Sequence, residues 1–304
     1  MLSSSESDED LTSSNPSSAI TSDRVRATLS SIRSNKGALM GATIVAIFAI
    51  TAIVVFIAGV LHVQVTPYNP LKQDVGPTLA PPSIHFLMGT DNLGRDVFSR
   101  IITATPNDFS VSLVVIGFSL LVGSLIGTYA AFNGGLLDEA LMRVTDIFFA
   151  IPALVLAMSI GIALGPGITN MTIALMIIWW PPYARLARGE ALKIAHQNYI
   201  EAARLSGAGR SRIILGHALP NITITLLVYA SLDVGTVILV YAGLSYLGLA
   251  VRPPYPDWGE MVSSYQDFML SSPWLPFFPG LVIALGVVGF SLLGDGLRDA
   301  LQGS

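Results

Sequence analysis

The residues with the most chemistry to offer are Glu201-Ala202-Ala203-Arg204-Leu205-Ser206-Gly207, followed by His217-Ala218-Leu219-Pro220-Asn221. They form a polar, arginine-bearing passage between two long apolar runs. Their chemistry is that of contact. Small side chains at Ala202, Ala203 and Gly207 let a partner surface come close to the backbone. Glu201 and Arg204 offer polar contacts at its rim, or form an i,i+3 surface pair worth a few tenths of a kcal/mol. Residues 183–206 are helix-compatible apart from Gly189, and Gly207 supplies a helix stop. Pro220 can start the next helix cheaply, because a first-turn proline loses no required N–H bond. The passage reads as a short rigid element tied to both flanking runs, through which an applied force would tilt them.

Catalysis finds no comparable constellation. A phosphate-binding loop needs Gly-Lys-Ser/Thr after a glycine-rich turn, yet Lys36, Lys72 and Lys193 are the only lysines and none follows a glycine. No HExxH zinc signature occurs, and no Ser-His-Asp set can be assigned. With no cysteine, neither a disulfide framework nor a thiolate metal site is available. His62, His85, His196 and His217 are scattered without metal-ligand spacing.

The elements that hold this passage are membrane spans. Hydrophobic residues make up 52% of the chain and charged residues 12%, against roughly 25% charged in an ordinary soluble domain. About 20 apolar residues cross a bilayer as a helix. Six runs approach that length, near 38–61, 109–132, 147–165, 171–187, 222–250 and 276–293. The third and fourth are short and joined by Gly165-Pro166-Gly167, a tight turn. The expected fold is an all-α polytopic membrane protein with six transmembrane helices. With both termini cytoplasmic, twelve of the sixteen Lys and Arg face the cytoplasm and only Lys72, Arg95, Arg100 and Arg252 lie outside. That is the positive-inside bias, and it puts residues 189–220 on the cytoplasmic side.

Three further zones stand out. Residues 1–36 are Ser-rich and carry Glu6, Asp8, Glu9, Asp10 and Asp23 before any basic residue, which reads as a disordered acidic cytoplasmic tail. Residues 37–108 comprise the first span and an external segment in which Pro67, Pro70, Pro77, Pro81 and Pro82 break regular structure. It ends in a polar turn, Gly89-Thr90-Asp91-Asn92-Leu93-Gly94-Arg95-Asp96, leading into a short amphipathic helix. There Asp91 or Asp96 can pair with Arg95, a contact worth little if exposed. Residues 109–301 form the core, where Asp233 is the one acid well inside any of the six runs. An intramembrane carboxylate is costly and normally faces a cavity or a partner, so Asp233 is a candidate for the substrate path or a subunit interface.

Four separated blocks carry a family resemblance: the Glu-Ala-Ala passage, Gly89–Asp96, Leu244-Ser245-Tyr246-Leu247-Gly248-Leu249 with Pro253-Pro254-Tyr255-Pro256-Asp257-Trp258-Gly259, and Gly294-Asp295-Gly296-Leu297-Arg298-Asp299-Ala300-Leu301. Together they resemble the C-type permease subunit of the dipeptide, oligopeptide and nickel ABC importers, over about residues 35–301. The resemblance implies a type I importer permease fold, non-catalytic, in the cell membrane. It implies that ATP and Mg bind partner ATPase subunits, with no cofactor in this chain. It makes Glu201, Ala202, Ala203, Arg204, Gly207, His217, Leu219 and Pro220 the ATPase-coupling residues of an EAA loop. The implied partners are a homologous second permease, two ATPase subunits, an extracytoplasmic substrate-binding protein and the lipid bilayer, with no nucleic acid. Short peptides are the expected substrate, with nickel chelates or oligosaccharides as alternatives. His217 replaces an aliphatic residue of the general pattern. Tyr241 stands where many relatives carry an acid, eight residues from Asp233 and near the same helix face. A self-sufficient secondary transporter is the contrasting class, and it would bury several ionisable groups near the midplane.

The orientation predicts a labelling pattern on this cysteine-free background. Ser83→Cys and Ser263→Cys should react with an impermeant thiol reagent from outside, and Ser211→Cys only from the cytoplasm. Outside labelling at position 211 would invert the orientation.

Overall fold

The computed structural model describes residues 35–302, with side chains through 300; the acidic tail lies outside them. The described residues are helical apart from turns and one isolated bridge between Thr90 and Asp96. Helix α1, Lys36–Val60, begins at Asn35, whose side chain accepts from the Gly37 and Ala38 N–H groups. Most of α1 turns outward: Ile47, Ile50 and Phe56 are each more than half exposed, as expected of a surface facing lipid.

Helix α2, Val97–Asn133, runs 37 residues, about 55 Å at the α-helical rise. It corrects the expected short amphipathic helix followed by a separate span from residue 109. Asp96 is the reason, because its carboxylate caps the Ser99 N–H at 2.8 Å and takes the Ser99 hydroxyl at 2.6 Å. The helix therefore nucleates at Val97 and continues through Pro106.

The third expected span is also corrected. Helices α3, Gly135–Ala150, and α4, Ala153–Leu164, meet at an 88° bend. Pro152 disfavours the helical region for Ile151, which is extended at φ −107°, ψ 132°. At 12 residues α4 covers about 18 Å, too little to cross hydrocarbon alone. Helix α5, Ile168–Ala195, contains the fourth expected span and is long enough. Its Trp179-Trp180-Pro181-Pro182 stretch, with Arg185 and Arg188, leaves it less apolar than a spanning helix requires. Four helical runs are long and apolar enough to cross a membrane, or five if the bent pair counts as one. Length and composition thus support four to five of the six expected spans.

Beyond α5 come α6, Asn198–Leu205, and α7, Arg210–Ile213, which passes through a π-turn at Ile214–Ala218 into α8, Leu219–Tyr246. Helices α9, Trp258–Tyr265, and α10, Trp274–Gln302, follow. The core lies where α2, α5, α8 and α10 pack together, with α1 against α10. Close approach depends on missing side chains. A Cβ on Gly127 of α2 would lie 2.1 Å from the Ala184 carbonyl oxygen of α5, and one on Gly123 would lie 2.7 Å from that of Trp180. On the other side, a Cβ on Gly41 of α1 would sit 2.5 Å from the Leu293 nitrogen of α10. Membrane helices associate through such small-residue contacts, because lipid removes the hydrophobic drive between them. Arg188 of α5 also takes Asp138 of α3 in two parallel bonds of 2.6 and 2.7 Å, and Arg185 pairs with Asp146.

Gly127→Val should therefore separate α2 from α5 and destabilise the protein by about 1–3 kcal/mol, the usual scale of overpacking. Gly117→Ala, at a position open on the same helix, should change little. Thermal unfolding in detergent compares the two, and equal midpoints would mean the contact does not require a glycine.

Candidate functional site

The passage after α5 is built on one buried anchor. Ile200 of α6 is fully buried against Phe132, Ala191, Ala195, Ile213, Ile214 and Ala218. That anchor turns Glu201, Ala202, Arg204 and Leu205 outward, with Leu205 90% exposed. Ala203 is half-buried beneath them. Gly207 ends the helix in the left-handed region at φ +81°. Its N–H bonds the Arg204 carbonyl and the Ala208 N–H bonds the Ala203 carbonyl, both at 3.0 Å, the paired closure of a Schellman stop. A Cβ at Gly207 would meet open space, so only the backbone conformation asks for glycine there. At the far end Arg210 donates to the Asn133 side chain at 3.1 Å, tying the passage to the end of α2.

Two expectations change here. The helix does not continue from 183 to 206, because α5 ends at Ala195 and Gln197 is extended before α6 begins. Among the described residues Glu201 and Arg204 make no ion pair with each other, so both remain available on the surface. Pro220 stands in the first turn of α8, as expected, and that helix follows a π-turn within one run, Arg210–Tyr246. The Leu219 N–H reaches back five residues to the Ile214 carbonyl. Pro220 has no N–H to give, and a widened turn before it lets the run continue. His217 lies half-buried in that turn with Leu219, and Pro220 is exposed.

Asp233 and Tyr241 do not come together as one site. Eight residues separate them by about 12 Å along α8, and their partners differ. Asp233 is half-buried and has visible donors on α5: Trp179 Nε1 at 2.7 Å and the Tyr183 hydroxyl at 3.1 Å, both on Oδ2. Tyr183 also meets the Tyr229 ring edge-on, with centroids 5.2 Å apart. The carboxylate thus bonds α8 to α5 within the chain. Tyr241 is fully buried beside Asp257.

Asp233 is not the only acid inside a long apolar helix. Asp108 lies within α2 and is 2% exposed. It belongs to a polar cluster that gathers the Gly89–Asp96 and Pro253–Gly259 blocks. The expected Asp91–Arg95 pair forms at 2.7 Å with the acid wholly buried, so it escapes the exposure that would make it weak. Asp91 also takes the Leu93 and Arg95 N–H groups and the Tyr265 hydroxyl. Arg100 reaches the Pro70 and Pro254 carbonyls at 3.2 and 3.1 Å and stands 3.7 Å from Glu260. Burial pushes the Glu260 carboxyl above its ordinary range, against the pull of Ser264 and Arg100. Sequence reasoning passed over Asp108, Asp257, Glu260 and Arg100 because they lie at the margins of apolar runs. The available signal was Arg100 itself, a fixed charge one helical turn into α2.

A family described as the binding-protein-dependent transport system inner membrane component matches residues 123–303. The chain belongs to that family. Among similar proteins, the probable D,D-dipeptide transport system permease protein DdpC of Escherichia coli K12 is 38% identical over 87% of this chain and 89% of its own. The di/tripeptide transport system permease protein DppC of Pseudomonas aeruginosa is 39% identical over 88% of each. The nickel transport system permease protein NikC of Escherichia coli K12 is 37% identical over 78% and 85%.

The Asp233 contact generates a test. Asp233→Asn keeps a carbonyl oxygen for Trp179 and Tyr183 and should preserve stability. Asp233→Leu strands the buried Tyr183 hydroxyl and the half-buried Trp179 N–H and should cost about 1–3 kcal/mol. Unfolding in detergent distinguishes them; equal stability of Leu and Asn variants would mean the bonds do not hold α5 to α8.

Proposed function

We propose that this chain is the transmembrane permease subunit of an ATP-driven importer and that it lines the solute path together with a homologous second permease. In this reading the chain crosses the membrane six times with both termini cytoplasmic. The α3–α4 pair supplies one pass despite its bend, and α5 another despite its polar end. Two ATPase subunits bind ATP and Mg, and an extracytoplasmic binding protein delivers the solute. Residues 201–207, with His217, Leu219 and Pro220, are the handle that one ATPase grips. The observation carrying this assignment is the shape of α6: a single buried anchor beneath, an exposed small-residue face above, and a fixed stop at Gly207. Its position between α5 and α8 lets a push on α6 reach both helices. Di- or oligopeptides are the proposed substrate, because relatives covering most of this chain are named as dipeptide and di/tripeptide permeases. A nickel complex is the second reading, favoured by the nickel relative.

Asp233 acts in this scheme as an internal tie between α5 and α8, and Tyr241 as a core residue near the external end. Neither is assigned to substrate contact. The importer alternates between states because ATP and the loaded binding protein each favour a different one.

Docking and turn geometry separate in a pair of variants. Ala202→Trp adds bulk on an exposed face and should reduce substrate-stimulated ATPase activity of the reconstituted importer at least tenfold, leaving membrane insertion intact. Gly207→Val places a β-branched residue at positive φ and should impair transport as well, through both bulk and strain. If the Ala202→Trp importer hydrolysed ATP and imported solute like the parent, α6 would not be the coupling element.

A further inference from the structure

The junction of α2, α8 and α9 holds buried polar groups whose hydrogen bonds do not close. Asp108 of α2, Asp257 at the N-cap of α9 and Tyr241 of α8 are each at most 2% exposed. Asp108 spends Oδ2 on the Trp258 N–H at 3.1 Å. Asp257 spends Oδ1 on the Glu260 N–H at 3.1 Å and on the Ser245 hydroxyl. Left over are Asp108 Oδ1 and Asp257 Oδ2, both buried and both without a donor. Asp108 bonds the N–H of Trp258, the residue that follows Asp257, so the two carboxyl groups stand beside each other. Two neighbouring orphaned acceptors cannot bond each other unless something stands between them.

Neighbouring cations do not fill that role. Arg95 is committed to Asp91. Arg100 is directed at Glu260 and at the Pro70 and Pro254 carbonyls. Among the described residues no Lys or Arg pairs with Asp108 or Asp257. A metal ion finds too few ligands as well. No set of three or more His, Cys, Asp or Glu side chains gathers around a common point among the described residues. Two like charges so close in a dry interior cannot both be ionised, and a shared proton resolves them.

We propose that Asp108 and Asp257 form a proton-binding site, holding one proton between Oδ1 and Oδ2 and thereby fastening α2 to the α8–α9 turn. The bridge joins residues 149 positions apart in the chain. It acts beside a second tight contact, where a Cβ on Gly259 would lie 2.1 Å from the Ala242 carbonyl oxygen. Release of the proton puts two bare charges in the junction and loosens it. The folded protein therefore keeps, toward neutrality, a proton that the unfolded chain has already given up at about pH 4. Its contribution to stability is complete at low pH and disappears as pH rises through the release of that proton. The titratable groups facing the pair are Tyr241 from α8 and Glu260 from α9, with Arg100 of α2 standing on the far side, 3.7 Å from Glu260. Glu260 titrates nearby, so a Glu260→Gln background removes its share.

The test uses the full chain in lipid nanodiscs, with unfolding followed from mildly acidic to alkaline pH. The parent should lose thermal stability on the alkaline side. Asp108→Asn and Asp257→Asn each put an amide N–H where the proton sat, so both should flatten the profile. The double variant turns two amide groups on each other and should unfold earlier than either single variant at every pH. Infrared spectra with aspartate-selective isotope labelling, in an Asp233→Asn background, should show a protonated-carboxyl band that vanishes at alkaline pH. That measurement needs no variant at the pair itself, so a failure of the Asn variants to fold would not protect the proposal. A parent without the band, or an unchanged alkaline loss in both single variants, would overturn it. Restoration of alkaline stability by added sodium or calcium would also overturn it, assigning the pair to a cation instead.

Discussion

Helices α2 and α5 can touch as they do only because Gly123 and Gly127 present bare backbone to Trp180 and Ala184. In lipid there is little hydrophobic gain from bringing two apolar helices together, so the fit of the contact decides whether it forms. That fit sets the position of α5 for everything else. Tyr183 lies against Gly123 with its hydroxyl pointing at Asp233 of α8. One turn further on, Arg188 reaches Asp138 of α3. A methyl group at position 127 would disturb all of these through one displacement.

The placement of α5 gives the passage at α6, proposed above as the coupling handle, its leverage. Helices α5 and α8 are joined through residues 196–218 and again, deep in the bundle, through Asp233 with Trp179 and Tyr183. Two attachments at different depths restrict hinging between the helices, so a displacement at α6 is carried along both. Burying a carboxylate has a large desolvation cost. Here two donors on one oxygen offset part of it, and an apolar pair at the same place would give no comparable directional tie.

The sequence made α1, α8 and α10 legible because their apolar runs are long and unbroken. Gly207 was legible as a stop because left-handed backbone asks for glycine. The beginning of α2 was not legible. Its first turns carry Arg100 and Asp108, and polarity there resembles a loop until partners from residues 254–260 are known. The break at Ile151 was present in the sequence as Pro152, yet the apolar residues on either side read as a single run. Asp233 illustrates the opposite case: its cost was visible from composition, while its donors lie 50 and 54 residues earlier. Periodicity and hydropathy describe a helix from within, and these features are decided by what packs against it.

The two ends of α8 use polar groups in opposite ways. Near its start, Glu201, Arg204 and Arg210 stand exposed around the passage, and their interactions in water are worth little. Beyond its other end, Asp91, Arg95, Arg100, Asp257 and Glu260 are buried and bonded mainly to one another. Breaking such a network leaves uncompensated buried charge, so it changes arrangement only at high cost. The exposed end, by contrast, can bind and release a partner with little change in its own structure. A helix fixed at one end and open to contact at the other suits the transmission of movement from the proposed coupling passage into the bundle.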